Sequence, residues 1–168
     1  MCCSCVVHPL RYQTWLRWFL EKGADPNIRL RRHRSSCSSP MADAARLGST
    51  VALEMLFEFN ATLDPEAMFY AIGVGRERAE PGTATMQILV DHGADVNAVG
   101  EWGTPLWQAV RMKRMEKVEW LLQMGADPWN ALAYAQAYTG AEGRAEYVEV
   151  LERACMKSCV RKGCTRCI

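Results

Sequence analysis

A three-residue motif, Gly-Ala-Asp, recurs in this chain at intervals that indicate a repeating unit. It begins at Gly23, Gly93 and Gly125. The first two copies lie 70 residues apart and the last two 32, which predicts a degenerate copy inside the longer interval. The segment MLFEFNATLD supplies that copy at Asn60, because asparagine is the usual substitute for glycine at a left-handed helix end. The four markers are then spaced by 37, 33 and 32 residues.

Apolar residues precede every marker at the same offsets, which predicts a helix before each one. The positions seven, five, four and three residues before the marker are apolar in all four copies, and this spacing places them on one helix face. Glycine or asparagine then supplies the positive φ that ends the helix, and a following Asp or Asn bonds locally to the backbone of a turn. Trp18 and Trp120 share one of these columns, so both are predicted to be core residues.

A second helix is predicted upstream of two of the markers. In GTPLWQAV, Thr104 is a candidate N-cap and Pro105 occupies the first helical position, and SSPMADAA repeats this with Ser39 and Pro40. The proline lies 20 residues before the marker in both copies. The unit is therefore a short capped helix, a turn, a longer helix, a helix stop and a loop.

These segments resemble the ankyrin-repeat family, whose period is about 33 residues and whose signature is Thr-Pro-Leu-His. The likeness is carried by GTPLWQAVRMKRMEKVEWLLQMGADP, SPMADAARLGSTVALEMLFEFNATLD, MQILVDHGADVN and RWFLEKGADPN, and it is similar in character to ankyrin proteins of filamentous fungi. The resemblance implies an all-α ankyrin-repeat solenoid of about four to five helix-turn-helix repeats, with degenerate terminal repeats.

The resemblance divides the chain into three predicted regions. Residues 1–12 form a cysteine-containing N-terminal segment, residues 13–154 the repeat domain, and residues 155–168 a cysteine-rich basic tail. The approximate units are 13–27, 39–63, 64–97, 104–128 and 130–154. The first is expected to be half a repeat, leaving an apolar flank near Trp15, Trp18 and Phe19 poorly covered. In the last, Leu132, Ala135, Val148 and Leu151 are expected to point inward.

The resemblance implies a protein partner bound on the concave face and on the loops called fingers. The residues that match those positions are Val99, Glu101, Trp102, Trp107 and Arg111. Aromatic and Arg side chains are favoured interface anchors, although packing of Trp102 on a neighbouring finger is an equal alternative. The chain departs from the family where Trp107 and Ala42 replace the signature His. The turn IGVGRERAEPGTA is longer than usual, and little room is left for a finger between Asn60 and a helix start at Asp64-Pro65.

The first finger, IRLRRHRSSCSSP, is long and basic. Arg29, Arg31, Arg32 and Arg34 can engage an acidic partner, and Arg32 three residues before Ser35 resembles a site for basophilic kinases. A solvated, disordered basic loop is the alternative.

Charge and motifs narrow the class of function. Residues 41–154 carry nine Lys/Arg against seventeen acids, a net −8, whereas residues 1–40 carry seven against two. An acidic body predicts a basic protein partner rather than nucleic acid. The three histidines are scattered, and no phosphate loop, G-x-S-x-G or H-E-x-x-H is present, so a non-catalytic monomer without a cofactor is expected. The absence of a long apolar run or signal leader predicts an intracellular, cytoplasmic protein, with the nucleus as an alternative.

Seven of the eight cysteines crowd the ends of the chain, which disfavours a disulfide scaffold. One Zn²⁺ ion can be bound by four thiolates, and the C-terminal segment contains four cysteines, Cys155, Cys159, Cys164 and Cys167. Their tight spacing instead favours an unstructured tail. Acylation of Cys2, Cys3 or Cys5 is a further alternative. Two other functions stay open: a regulatory region of a larger ankyrin protein, and a metal or redox role of the terminal cysteines.

Overall fold

A computed structural model describes residues 11–32, 36–73, 82–101, 103–138 and 141–162. Within those residues the chain is helical apart from one short hairpin and an isolated bridge. It divides into two compact units, Met1–Ala94 and Asp95–Ile168. The first unit contains α1 (Arg11–Glu21), β1 (Leu30–Arg32), β2 (Ser36–Ser38), α2 (Pro40–Arg46), α3 (Thr50–Glu58), α4 (Ala67–Ile72) and α5 (Thr83–Asp91). The second contains α6 (Pro105–Arg111), α7 (Met115–Gln123), α8 (Trp129–Tyr138) and α9 (Ala141–Lys162).

In the first unit, α2 and α4 pack together as neighbouring short helices, each against the longer helix that follows it. The longer helices α3 and α5 also contact each other, and His92 at the end of α5 stacks flat on Phe57 of α3 with ring centroids 3.7 Å apart. The core consists of side chains in the predicted columns, led by Met41, Leu53, Leu56, Met86 and Leu89. This is the predicted helix-turn-helix stack.

In the second unit, α6 packs against α7 and α8, and α9 packs against α8 and α7. Leu106, Ala109 and Leu121 are fully buried, and Leu121 lies in one of the predicted columns. In the last pair Leu132, Ala135 and Leu151 are buried, but Val148 is half-buried and Tyr147 takes the inward place at 8% exposure. The all-α ankyrin-type fold is confirmed in the described residues.

Every marker residue has the left-handed backbone that the sequence predicts. The φ angles are +84° at Gly23, +59° at Asn60, +93° at Gly93 and +88° at Gly125. In each copy the N–H of the following alanine donates to the carbonyl five residues back, as Ala126 does to Leu121 at 2.9 Å. This pattern satisfies carbonyls that the ended helix would otherwise leave unpaired. The degenerate copy at Asn60 is therefore a true helix stop.

Both predicted N-caps are present. The Ser39 hydroxyl accepts from the Ala42 N–H at 3.1 Å, and the Thr104 hydroxyl accepts from the Trp107 N–H at 3.2 Å. Proline follows each cap at the start of the helix. A proline costs nothing there, because its missing N–H would have no partner within the helix.

The helix predicted to start at Asp64-Pro65 begins two residues after Pro65. The helix α4 begins at Ala67, because Asp64 makes a buried polar turn before it. Its carboxylate accepts from the Ser39 hydroxyl and from the Glu66 N–H at 3.0 Å, and the Arg29 guanidinium lies 3.8 Å away. The long turn is present, since α4 ends at Ile72 and α5 begins at Thr83, and residues 74–81 of that turn lie outside the described residues.

The prediction that Trp18 is a core residue is wrong. Its side chain is 46% exposed, whereas Met55 in the same column of α3 is 5% exposed. The reason is that α1 makes its principal described contact with α3 alone, whereas α3 packs against α1, α2 and α5. Trp120, the other tryptophan of the column, is half-buried. The expected apolar flank of Trp15, Trp18 and Phe19 is exposed, as predicted for half a repeat.

The boundary predicted at residue 154 falls inside α9, which continues to Lys162. Cys155 and Cys159 are 3% and 7% exposed and lie one turn apart on that helix. An unstructured tail is therefore wrong for residues 155–162, because these two side chains extend the buried face of the helix. Cys164 and Cys167 lie outside the described residues, as do Cys2, Cys3 and Cys5.

Candidate partner-binding surface

The finger of the second unit is a tight turn closed by an antiparallel bridge between Gly100 and Gly103. The Gly100 N–H donates to the Gly103 carbonyl at 3.0 Å, and the Gly103 N–H returns the bond at 3.2 Å. Glu101 is exposed at the tip, and Val99 before it is 81% exposed. Trp102, the predicted anchor of the tip, lies outside the described residues.

The base of this finger is held against the first helix of the repeat through Gly103. A Cβ built on this glycine would lie 3.2 Å from the Trp107 ring, and its φ is +83°. A larger residue would therefore meet both the indole and an unfavourable backbone conformation. The close approach ties the position of the finger to that of Trp107.

Trp107 joins two helices and a charged side chain. Its ring centroid lies 4.9 Å from that of Tyr134 on α8, and the Arg111 guanidinium lies 5.5 Å from the indole centroid. Such a guanidinium is attracted to the electron-rich ring face. The indole is half-buried and Arg111 is exposed. At the position of the signature histidine this chain therefore has an aromatic cluster with a cation on it.

Successive loops are tied together by asparagine side chains that the sequence reasoning did not single out. Asn97 accepts from the Asp127 N–H at 2.7 Å, and in the first unit Asn27 accepts from the Thr62 N–H at 2.8 Å. Both lie four residues after a marker glycine, so their equal offset is a signal that was available. The Asp95 carboxylate makes the predicted local turn by accepting from the Asn97 N–H at 2.8 Å.

Comparison with known proteins agrees with this geometry. The family model described as the ankyrin repeat matches residues 103–134, the segment that contains Gly103, Trp107, Arg111 and Tyr134. Residues 103–134 therefore match an ankyrin repeat, and the described helices have the fold of an ankyrin-repeat domain. Among solved structures it is similar to the crystal structure of the ankyrin repeat domain of Bcl-3, a member of the IkappaB protein family, at 26% identity and a TM-score of 0.65. The match covers 84% of this chain and 64% of that one. No curated protein matches.

The predicted binding residues of this chain fall into two groups. Val99, Glu101, Trp107 and Arg111 lie in the second unit, on the finger and α6. Arg31 and Arg32 lie in the first unit, on a hairpin in which Arg31 pairs with Cys37 and Arg32 with Ser36. Because residues 30–32 and 36–38 pair as strands, the alternative of a disordered loop is wrong for them. Arg34 and Ser35 lie outside the described residues.

A groove of about 910 Å³ in the second unit was not predicted. It is lined by α7, the 125–130 loop, α9 and the finger residues Asn97, Val99 and Thr104, with Glu119 and Asp127 as acidic groups and Arg153 and Lys157 as basic ones. Glu119, Arg153 and Lys157 belong to the longer helices of their repeats, and the sequence columns describe only the buried faces of those helices. The apolar columns therefore could not predict a groove that is lined by polar side chains.

Within the part of the chain that the structure describes, no group of three or more His, Cys, Asp or Glu residues is arranged to hold a metal ion. Cys155 and Cys159 face inward from α9. Nor does any described helix have the length and apolar character needed to span a membrane.

One ionisable group near the end of the second unit is clearly perturbed. Burial raises the pKa of the Tyr147 hydroxyl above its ordinary value of 10.0, the charge of Glu146 adds to the rise, and that of Arg114 opposes it. Tyr147 packs on the inner side of α9 at 8% exposure. A buried neutral phenol of this kind serves packing rather than proton transfer.

Proposed function

We propose that this ankyrin-repeat protein is a non-catalytic protein-interaction module whose second unit contacts the partner through its finger surface. We define the finger surface as Val99, Glu101, Trp107, Arg111 and Tyr134. The observation that carries the proposal is the Trp107 cluster, in which Tyr134 and Arg111 hold a half-buried indole beside a protruding finger. Trp, Tyr and Arg dominate the energetics of protein interfaces.

The composition of the finger surface supports protein recognition over catalysis. A large aromatic side chain that is already packed loses little conformational freedom when a partner covers it. Val99, at 81% exposure, offers apolar area on the finger, whose Gly103 lies against the indole of Trp107. Val99 and the Trp107 cluster therefore combine an apolar contact with a fixed cation.

The partner that suits this chain is a basic protein. Residues 41–154 carry a net charge of −8, and an acidic surface accelerates association with a basic partner. The Arg111 cation then contacts an acidic or carbonyl group within an otherwise basic surface. Association is expected to slow as salt rises, because the screening length falls from about 10 Å at 0.1 M to about 3 Å at 1 M.

The test is capture of partners from cell extract by the immobilised protein, with identification by mass spectrometry. Val99→Asp and Arg111→Ala are expected to weaken capture of the same protein by tenfold or more, about 1.4 kcal/mol or above. The matched controls are Val51→Asp, which adds the same charge at a 41% exposed valine of α3, and Arg17→Ala, which removes the same charge at an exposed arginine of α1 in the first unit. Unchanged capture by the first pair, or equal losses in both pairs, would refute the finger surface as the binding site.

A further inference from the structure

The helix α1 presents an aromatic face that the fold leaves exposed. Trp15, Trp18 and Phe19 are 56%, 46% and 46% exposed, whereas Leu20 of the same helix is buried. Positions spaced by three and four residues lie on one side of a helix. The three rings therefore form one continuous apolar surface, which we call the α1 aromatic face.

The rings of the α1 aromatic face are arranged against one another. Trp15 and Trp18 meet edge to face with centroids 6.1 Å apart, and Trp18 and Phe19 do the same at 5.1 Å. Lys22 follows one turn after Trp18, and its N–H donates to the Trp18 carbonyl at 3.0 Å. A cation thus stands at the end of the aromatic face.

Positive charge is concentrated in the same part of the chain. Residues 11–32 carry six Lys/Arg against two acids, a net +4, whereas residues 36–73 carry one against five, a net −4. Arg17 forms an exposed ion pair with Glu58 at 2.9 Å, and such a pair contributes little in high dielectric. The segment that exposes the rings is therefore also the basic segment of the first unit.

The area of the α1 aromatic face distinguishes between possible occupants. Buried aromatic side chains cover about 150–250 Å² each, so three half-exposed rings offer roughly 300 Å². A stable protein interface buries about 800 Å² on each partner, which is more than this face supplies. A bilayer surface needs no complementary shape, and it accepts Trp and Phe at the level of the headgroups while attracting Lys and Arg to anionic lipid.

We propose that α1 docks its aromatic face onto a bilayer surface that contains anionic lipid. The rings of Trp15, Trp18 and Phe19 enter the headgroup region, and the exposed cations Arg17, Lys22 and Arg29 contact lipid phosphates and carboxylates. The contact leaves the finger surface unused, since that surface belongs to the second unit.

The first test is co-sedimentation of the purified protein with vesicles of phosphatidylcholine alone or of equimolar phosphatidylcholine and phosphatidylserine. Binding to the anionic vesicles is expected, with weaker binding to the neutral ones and a loss at high salt. The double variant Trp15→Ala/Trp18→Ala is expected to bind at least about tenfold more weakly, because it removes most of the apolar area that enters the headgroup region. Trp129→Ala, a 39% exposed tryptophan of the second unit, is the matched control and is expected to bind like the unaltered protein.

A second test measures tryptophan fluorescence. Phosphatidylcholine with a nitroxide spin label on its headgroup quenches tryptophans at headgroup level, so quenching of the unaltered protein by labelled anionic vesicles is expected, and Trp129→Ala is expected to retain it. Absence of vesicle binding, equal binding by the double variant and its control, or absence of quenching would each overturn the proposal. A change of sedimenting mass in the double variant without lipid would overturn it too, in favour of a second copy of the chain as the occupant.

Discussion

Replacing Gly125 with alanine tests whether the recurrent Gly-Ala-Asp motif acts as a helix stop. Gly125 has φ +88° after α7, and its N–H donates to the Leu122 carbonyl at 3.2 Å. The next N–H, of Ala126, donates to Leu121 at 2.9 Å. Alanine must adopt the same left-handed backbone to keep both hydrogen bonds.

The cost follows from the backbone alone. A Cβ built on Gly125 meets nothing within 4 Å, so no clash with a neighbour adds to it. A residue with a Cβ pays about 1–2 kcal/mol for the left-handed conformation, and reduced freedom of the unfolded chain returns about 0.4–1 kcal/mol. The expected net loss in the free energy of unfolding is about 1 kcal/mol.

Asparagine at the same position provides the decisive comparison. Asn60 holds φ +59° at the equivalent stop of α3, and asparagine tolerates this region better than alanine does. Gly125→Asn is therefore expected to recover most of the stability that Gly125→Ala loses. Urea denaturation followed by far-UV circular dichroism measures both. The reasoning is refuted if alanine costs nothing, or if asparagine costs as much as alanine.

Three further perturbations address the core, the loops and the titration of the second unit. Leu121→Ala is expected to cost about 2–5 kcal/mol in urea denaturation, because the side chain is fully buried, and a loss under about 1 kcal/mol would contradict its core assignment. Asn97→Ala is expected to cost about 0.5–1.5 kcal/mol by removing the 2.7 Å acceptor of the exposed Asp127 N–H, and unaltered hydrogen exchange at Asp127 would contradict this. The raised pKa of Tyr147 stabilises the fold below pH 10.0 and loses that contribution as pH rises through the folded-state pKa. Tyr147→Phe is therefore expected to flatten the alkaline fall in stability, and an equally steep fall in the variant would exclude this tyrosine as its source.

The helix stops and caps could be predicted from sequence because each depends on a few adjacent residues. A glycine or asparagine after an apolar triplet indicates a left-handed backbone conformation at the helix end. Ser39 and Thr104 indicate N-caps, because each accepts a hydrogen bond within its own turn. Asn60 shows how far this reasoning reaches, since spacing alone located it. Predictions of this kind need no knowledge of what lies across the fold.

Features that the residue types themselves do not indicate could not be predicted in the same way. Lys113 adopts φ +56° between α6 and α7, because its N–H and that of Arg114 both bond back to α6 at 3.0 Å. Lysine carries no signal for that conformation. The extent of α9 beyond residue 154 depends likewise on burial of Cys155 and Cys159, two residues that also suit an exposed, metal-binding tail.

The finger surface and the α1 aromatic face share one property. In both, the backbone follows the repeat pattern, whereas a side chain differs from that pattern in type or in burial. Trp107 stands where the family signature has histidine, and its repeat still caps at Thr104 and keeps Leu106 buried. Trp18 occupies a core column, and its helix still ends at Gly23 with φ +84°. A repeat that folds through its stops, caps and buried columns can change the remaining side chains without losing its backbone. A tryptophan in such a position stays exposed or half-buried wherever no neighbouring helix covers it, and that is where a repeat protein can acquire a ligand.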